Sequence, residues 1–537
     1  MRYELRRGRA CVIVQTLQLA IVHNHFRPGG VRRVIELATP HLVAYWPERI
    51  RRVVLAAGEA PDPAWLKAFG ARLHGTPVKV LVVPAFGYVS ELGWPGKRLK
   101  QGVLHGVLDL YSTIGREACL IWAHNLGLGR NLYLARELTL TCAVCGIPLV
   151  VHHHDWWVEN RWHLVAGRRQ PGFRKLDAVA SAVLPSAGCI YHAAINRADA
   201  SILEKHFPGL AGWLPNPVEP GPHAPAGRVD AAKVWLREQV GSDAPVWLLP
   251  CRLLRRKNIA EALLLTRWLR PEAWLVTTGG VSSAEEQAYA DTLAAAAQAQ
   301  GWRLRLGVLQ GNQAARPSVP ELLAASEAIL FTSLQEGFGL PYLEATASGR
   351  PLVARRLPNI APDLAQFGFT FPHCYREIWV APALFDWRAE RERQAQGFAE
   401  WKRLMPRQVA RLVGQPALLA AGATPGPVPF SRLTLRAQLA VLAKPVDVSW
   451  ELCAPLNPSL PAWRKGAAAG RLQAGSWPAS AKRWLSGPAY ARRFINLVFS
   501  ERLAVPPANA GKAAQAAFLR QKLRAENIYP LLWNSRT

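Results

Sequence analysis

Short apolar runs alternate along the chain with longer stretches in which apolar residues recur every three or four positions. In the first half the runs are Leu19–His23, Arg52–Ala56, Val78–Pro84, Cys119–Ala123, Leu149–His152 and Cys189–Ala193. Runs of this length, bounded by turn residues, predict strands. Helical periodicity falls between them, near 31–44, 97–114, 130–144, 174–184 and 197–206. Such a βαβα rhythm predicts a parallel sheet with helices on both faces. A Pro/Gly/Ala-rich stretch from Pro215 to Arg228 has the composition of a linker. The rhythm then restarts. Strands are predicted at Val246–Leu249, Trp274–Thr277, Leu304–Val308, Ala328–Phe331 and Pro351–Ala354, and helices at 258–269, 283–299, 319–326 and 340–348. The pattern thus describes two doubly wound α/β domains, over 10–215 and 225–387. Beyond them, 388–413 reads as one long charged helix and 415–430 as a second linker. Residues 430–537 form an extension whose apolar pieces suggest no fold, and it reads as a small appended domain with a solvated basic face.

Composition narrows the class. An apolar fraction of 50 % with 19 % charged residues excludes a disordered chain, because burial of that much apolar surface offsets the entropy of ordering. The net charge is +28, which favours anionic partners. It is unevenly spread: residues 401–537 hold 20 Lys/Arg against 4 Asp/Glu, or +16 of the total. The 8 cysteines are scattered, as in a reduced cytoplasmic enzyme rather than a disulfide scaffold. The close pair Cys142/Cys145 has no second pair to complete a zinc site, so both are expected as buried helix-end thiols. Arg2, Arg6, Arg7 and Arg9 precede the apolar run Cys11–Val22, in the manner of a signal peptide. Gln15, Thr16 and Gln18 interrupt that run, which is therefore read as the first strand. The uncharged stretch Ala178–Asn196 contains Ser181, Pro185, Ser186 and His192 and reads as helix, turn and strand rather than a membrane span. The expected location is the cytoplasm.

Four segments carry candidate chemistry. In Phe331–Val353 a strand ends at Phe331, a loop carries Glu336, Gly337, Phe338 and Gly339, and a helix opens at Leu340–Pro341 with Glu344 one turn in. The glycines let a ligand approach the backbone, and a helix start offers unpaired N–H groups to its oxygens. Acids that merely complement a helix dipole explain the same carboxylates. In Leu248–Leu264, Arg252 and Lys257 follow a strand end, where open α/β sheets bind ligands. Two cations there suit a diphosphate, although Arg255 and Arg256 lie beside them and all could be solvated surface cations. In His23–Ala38 a strand runs through Gly29–Gly30 into a helix. In Val150–Trp162, His152, His153, His154 and Asp155 end a strand, with His124–Asn125 ending another; polar substrate contacts, a structural cluster and a metal site all remain open readings. The sequence contains no Walker A loop, dinucleotide fingerprint or nucleophile elbow.

In this order, the segments resemble the retaining GT-B glycosyltransferases of family 4. The resemblance runs over about residues 18–400. It is carried by Gly29–Val31, His154–Asp155, Pro215–Asn216, Arg252 with Lys257, and above all Glu336–Ala345 with its Glu-x7-Glu spacing. It implies a GT-B fold, two Rossmann-like domains facing a cleft, with the helix near 388–414 returning to the first. It implies that Glu336 holds the hydroxyls of the donor sugar and that the backbone at Phe338, Gly339 and Leu340 binds donor oxygens. Glu344 would bind the ribose, Arg252 and Lys257 would clamp the departing diphosphate, Gly30 would let the first domain close on the donor, and His154 would face the sugar. No cofactor or metal is implied; the donor is a nucleotide-diphosphate sugar. The resemblance implies a hydroxyl acceptor, lipid-linked in many such enzymes, and a basic, Trp-bearing extension (Trp450, Trp463, Trp477, Trp484, Trp533) would suit peripheral contact with an anionic membrane. Two departures stand out: Asn216–Pro217 replaces the usual Asn-Gly, and Leu357–Pro358 the usual Gly-Gly. The competing classes are a non-catalytic GT-B scaffold, disfavoured by the intact acid and base pairs, and a nucleic-acid binder using the extension, also disfavoured.

Overall fold

The computed structural model describes residues 16–115, 118–159, 170–220, 224–281, 284–311, 316–499 and 505–533. Its first sheet contains β1 (Thr16–Val22), β2 (Arg49–Ala57), β3 (Val78–Val82), β4 (Cys119–His124), β5 (Leu149–His153), β6 (Ile190–Ala194) and β7 (Ala211–Trp213). They run in the order β3-β2-β1-β4-β5-β6-β7, every pair parallel. The second sheet contains β8 (Val246–Leu249), β9 (Trp274–Thr277), β10 (Leu304–Arg305), β11 (Ala328–Phe331), β12 (Leu352–Arg355) and β13 (His373–Tyr375). Its order is β10-β9-β8-β11-β12-β13, also parallel throughout. These are the two doubly wound sheets that the pattern predicts. Helices cover both faces, so strands such as β5 are buried along their whole length, as near-continuous apolar runs must be.

The strand orders fix where ligands can bind. Each order reverses once, between β1 and β4 and between β8 and β11, and the crevice at the carboxyl ends of strands flanking such a switch is the natural site. Every segment with candidate chemistry follows one of these strands or β5 beside them.

Several differences from the expected elements have local causes. The sequence reading passes over β7 and β13, whose three residues each (Ala-Gly-Trp and His-Cys-Tyr) are no apolar run. The helix Ala226–Val240 starts inside the supposed linker. The long helix is split: Trp387–Arg403 ends, and Arg407–Ala410 follows Pro406, which cannot donate to the preceding turn. Cys142 is buried, whereas Cys145 is exposed. Of the expected first strand, residues 11–15 lie outside the described residues.

The larger correction concerns the C-terminal extension, which is not an appended unit. Trp463 packs in the core of the second sheet with Leu442, Cys453 and Leu460. Tyr490 and Phe494 belong to the core beneath β1, β2 and β4. Phe518 and Trp533 join the other core of the first sheet, where Phe518 lies 4.1 Å from the Trp156 ring. Trp450 meets Trp268 at 6.0 Å, Trp477 meets Phe369 at 5.2 Å, and Trp484 meets Trp213 at 5.2 Å. Trp463 and Trp533 are thus buried, while Trp450, Trp477 and Trp484 pack against other rings and stay partly exposed. Phe398, Trp401, Met405 and Val409, from 388–414, also lie in the core of the first sheet. Among the described residues, no helix is long and apolar enough to cross a membrane.

Candidate active site

The connection after β8 begins at Cys251 and tightens into a single 3-10 turn, Arg255–Lys257. Asn258, at φ 49°, then starts the helix Ile259–Leu269. The connection after β11 carries Glu336 and ends at Gly339, whose φ of 80° is the left-handed region glycine favours. The helix Leu340–Ala347 begins there.

The turn delivers two cations to one carboxylate. Arg256 Nη1 lies 2.8 Å from Glu336 Oε2, and Lys257 Nζ is hydrogen-bonded to Glu336 Oε1. Burial alone would push the Glu336 carboxyl up, but Arg256 and Lys257 overcome it and hold the group at about 2. The backbone beneath is fixed as well. Arg256 Nη1 donates to Gln335 O at 2.9 Å, and Asn359 Nδ2 donates to Glu336 O at 2.8 Å. Asn359 comes from the loop in which Leu357–Pro358 replaces the usual glycines.

Glu344 lies one turn into its helix. Burial raises its carboxyl above the ordinary range, against the pull of Lys257 and Arg33. Arg33 belongs to the helix Gly30–Tyr45 of the first domain, so the start of that helix is near enough for its charge to act on Glu344. Gly30 is exposed there, and a Cβ on it would touch nothing within 4 Å. Phe338 is buried and Leu340 half-buried. Arg252 is exposed and close enough to His25 to depress that imidazole, behind the larger effects of burial and Arg27.

His154 is placed differently from expectation. Its imidazole is buried, with Nε2 3.1 Å from His124 Nδ1 and its ring 4.4 Å from that of His152. Burial, then His23 and His153, depress it to about 3, so it is neutral at pH 7. Its carbonyl oxygen, rather than its ring, abuts the other domain: a Cβ on Gly337 would lie 2.4 Å from His154 O. Nitrogen atoms of His124, His152 and His154 lie within 4.8 Å of one another, a spacing compatible with a cation. However, His152 Nε2 already faces Leu214 O and Nδ1 faces the Tyr490 hydroxyl, both at 3.4 Å, and the pair His124–His154 is within hydrogen-bond reach of itself. All three are neutral and buried, and His124 Nε2 is left without a hydrogen-bond partner.

The structure thus brings together Glu336, Lys257, Glu344 and the Gly30 helix start, with Arg252 on the rim. Sequence reasoning missed Arg256, which it treated as a bystander, and also Arg33, Asn359 and Asn196. Asn196 Nδ2 donates to Gly337 O at 3.2 Å. A signal existed for Asn196 alone: Asn before a helical stretch is a cap.

Residues 237–370 match the family Glycosyl transferases group 1. Among curated proteins, the chain is similar to the mannosylglucosyl-3-phosphoglycerate synthase of Petrotoga mobilis. They are 28 % identical over 367 residues, 64 % of this chain and 65 % of that protein, so the match leaves about a third of the relative's length unspanned. Among solved structures, it is similar to Anabaena HepE in complex with UDP-glucose, with a TM-score of 0.50 and 16 % identity over 91 % of this chain and 100 % of the other.

Proposed function

We propose that this chain, a group 1 glycosyltransferase of GT-B fold, transfers a hexose from a nucleotide-diphosphate sugar to a hydroxyl acceptor with retention of configuration and without a divalent metal. The observation that carries the reading is Glu336 held ionised between Arg256 and Lys257 at the switch of the second sheet. A scaffold protein has no need to bury such a cluster, because desolvating three charges is costly unless they are used or well paired. The name of the Petrotoga relative, a synthase of a mannosylated glucoside, agrees with hexose transfer.

The chemistry follows from charge and position. As the bond between the anomeric carbon and the phosphate oxygen breaks, negative charge grows on the diphosphate. Lys257 and Arg256 stand where that charge can be met, with Arg252 on the rim, and such preorganised donors contribute most of their effect in the transition state. Glu336 keeps the two cations in place before the donor arrives and offers its carboxylate to sugar hydroxyls. Glu344 takes the ribose, and the amides after Gly337 take donor oxygens. On this route the acceptor oxygen attacks from the face that the phosphate leaves, and its proton passes to a departing phosphate oxygen. No protein nucleophile is required, and protein cations do the work a metal would do. The reading includes His154 as a neutral group behind the contact with Gly337.

A donor screen tests it. Thermal-shift titration with UDP, GDP and ADP and their sugars is expected to single out one nucleotide. Turnover of its sugar should persist in EDTA and yield the donor's own anomeric configuration by NMR. No shift and no turnover with any donor, or an inverted product, would overturn the reading.

A further inference from the structure

Resting on the reading above, we propose that Lys522, in the C-terminal extension, is a positioning residue for the transfer site, acting through Glu159, Asp199 and Asn196 on the loop that carries Glu336.

Lys522 ends the helix Ala510–Lys522, which packs on the first domain against the helices Leu176–Val183 and Arg197–His206. Its side chain is 12 % exposed, with Nζ 2.6 Å from Glu159 Oε1 and 3.0 Å from Asp199 Oδ1. Both carboxylates belong to the first domain and neither lies near Lys522 in sequence. From them, two short paths lead to the site.

The first path is a chain of hydrogen bonds. Asp199 Oδ2 accepts from Trp156 Nε1 at 2.9 Å and from Asn196 Nδ2 at 3.0 Å. Asn196 Oδ1 in turn accepts the Asp199 N–H, capping the helix Arg197–His206. With its side chain fixed at both ends, Asn196 presents Nδ2 to Gly337 O at 3.2 Å. Gly337 is the residue after Glu336, and its backbone already abuts His154 O. The loop is therefore held from the first domain by one oriented amide, whose orientation depends on a carboxylate that Lys522 neutralises.

The second path is electrostatic. Glu159 and Asp155 both act on Arg256 across the domain boundary, after burial and Glu336 itself. With Lys522 beside Glu159, that carboxylate is paired. Without Lys522, Glu159 would compete with Glu336 for Arg256 in a weakly screened environment.

A cation confined to holding the extension in place would be a stability residue, and its loss would leave the chemistry of folded molecules intact. A positioning residue acts on turnover, because small misplacements of a reacting group cost rate more than binding. The experiment uses the full chain. Lys522→Met is expected to lower kcat by about tenfold or more per folded molecule, with the affinity for the selected nucleoside diphosphate changed by less than about twofold. Lys522→Arg should restore most of the rate. Because Lys522→Met strands two buried carboxylates and can impair folding, Asn196→Ser provides the second arm. It keeps a capping oxygen and all charges paired but cannot reach Gly337 O. It should show the same fall in kcat, and the double variant should be no slower than the slower single one. Hydrogen exchange at residues 333–340 should rise in both variants and stay unchanged in the helix Ala284–Ala299. Wild-type kcat in Asn196→Ser, or strictly multiplicative effects in the double variant, would overturn the proposal. If the wild-type protein turns over no nucleotide sugar, the transferase reading fails. The exchange data still decide whether Lys522 orders the loop: unchanged exchange at 333–340 overturns the relay.

Discussion

Two carboxylates eight positions apart in sequence are shifted in opposite directions, and the contrast can be measured. Two cations keep the Glu336 carboxyl near 2, so it does not titrate in any working range. Burial raises the Glu344 carboxyl, so Glu344 is the first of the pair to take up a proton as pH falls. Protonation there removes a charged acceptor for ribose hydroxyls. The affinity for the nucleoside diphosphate is therefore expected to fall on the acid side, and the fall should vanish in Glu344→Gln. That variant should also bind more weakly at pH 7 by about 1.5–3 kcal/mol, the worth of a hydrogen bond to a charged group. Glu336→Gln should lower kcat at every pH while the acid limb persists. Isothermal titration across pH checks the affinities and steady-state kinetics the kcat, and an acid limb lost in Glu336→Gln instead would reverse the two assignments. Glu336 and Lys257 were legible because motif spacing singles them out. Arg256 was not, since three consecutive cations have equal claim until the 3-10 turn sends two of them to Glu336 and Arg255 to Glu286.

At the scale of elements, the strand ends set the site and Gly337 sets how closely the two domains approach. A Cβ at this position would lie 2.4 Å from His154 O and 2.8 Å from Ile195 Cδ1. The isoleucine can turn away, but a backbone carbonyl cannot. Gly337→Ala must therefore part the two loops, which also lengthens the bond from Asn196. The expected result is a loss of roughly tenfold or more in kcat, since the loop is displaced, with a smaller loss of nucleotide affinity, because Glu344 lies one turn into the helix that follows the loop. Steady-state kinetics beside titration would show it, and an unchanged kcat would mean that the loops do not meet during turnover. Most elements at this scale were readable, because a fully buried parallel strand is a conspicuous apolar run. Among the strands of the two parallel sheets the exceptions, β7 and β13, are too short to form one. Pro406 likewise shows that a helical pattern can continue through a break that its own proline dictates.

For the molecule as a whole, the charge of the extension hid its architecture. Its helices Leu435–Leu442, Val446–Cys453 and Leu460–Ala468 complete the second domain, while Gly487–Val498 and Ala510–Lys522 complete the first. Each presents a narrow apolar face that makes sense only beside a partner well over a hundred residues away, so periodicity alone suggests a small solvated domain. A partly buried polar network shows the same dependence. Glu377 lies between Arg355 of β12, at 2.6 Å, and Arg432 of the extension, at 3.2 Å, and Arg432 stacks 3.9 Å from the centre of the Tyr529 ring. Removal of one buried ring should therefore be felt at the other end of the chain. Phe494 is fully buried, edge-on to Trp122 of β4 with ring centres 5.4 Å apart. Phe494→Ala is expected to cost ~3–5 kcal/mol, the usual range for such a cavity, and to lower the unfolding transition of the first domain. Denaturant unfolding followed by hydrogen exchange in β1 and β4 would read it directly. If the extension were an independent unit, exchange in those strands would match the wild-type protein while the extension alone lost protection. The packing predicts the reverse: β1 and β4 lose protection together with Gly487–Val498, because that helix is part of their core.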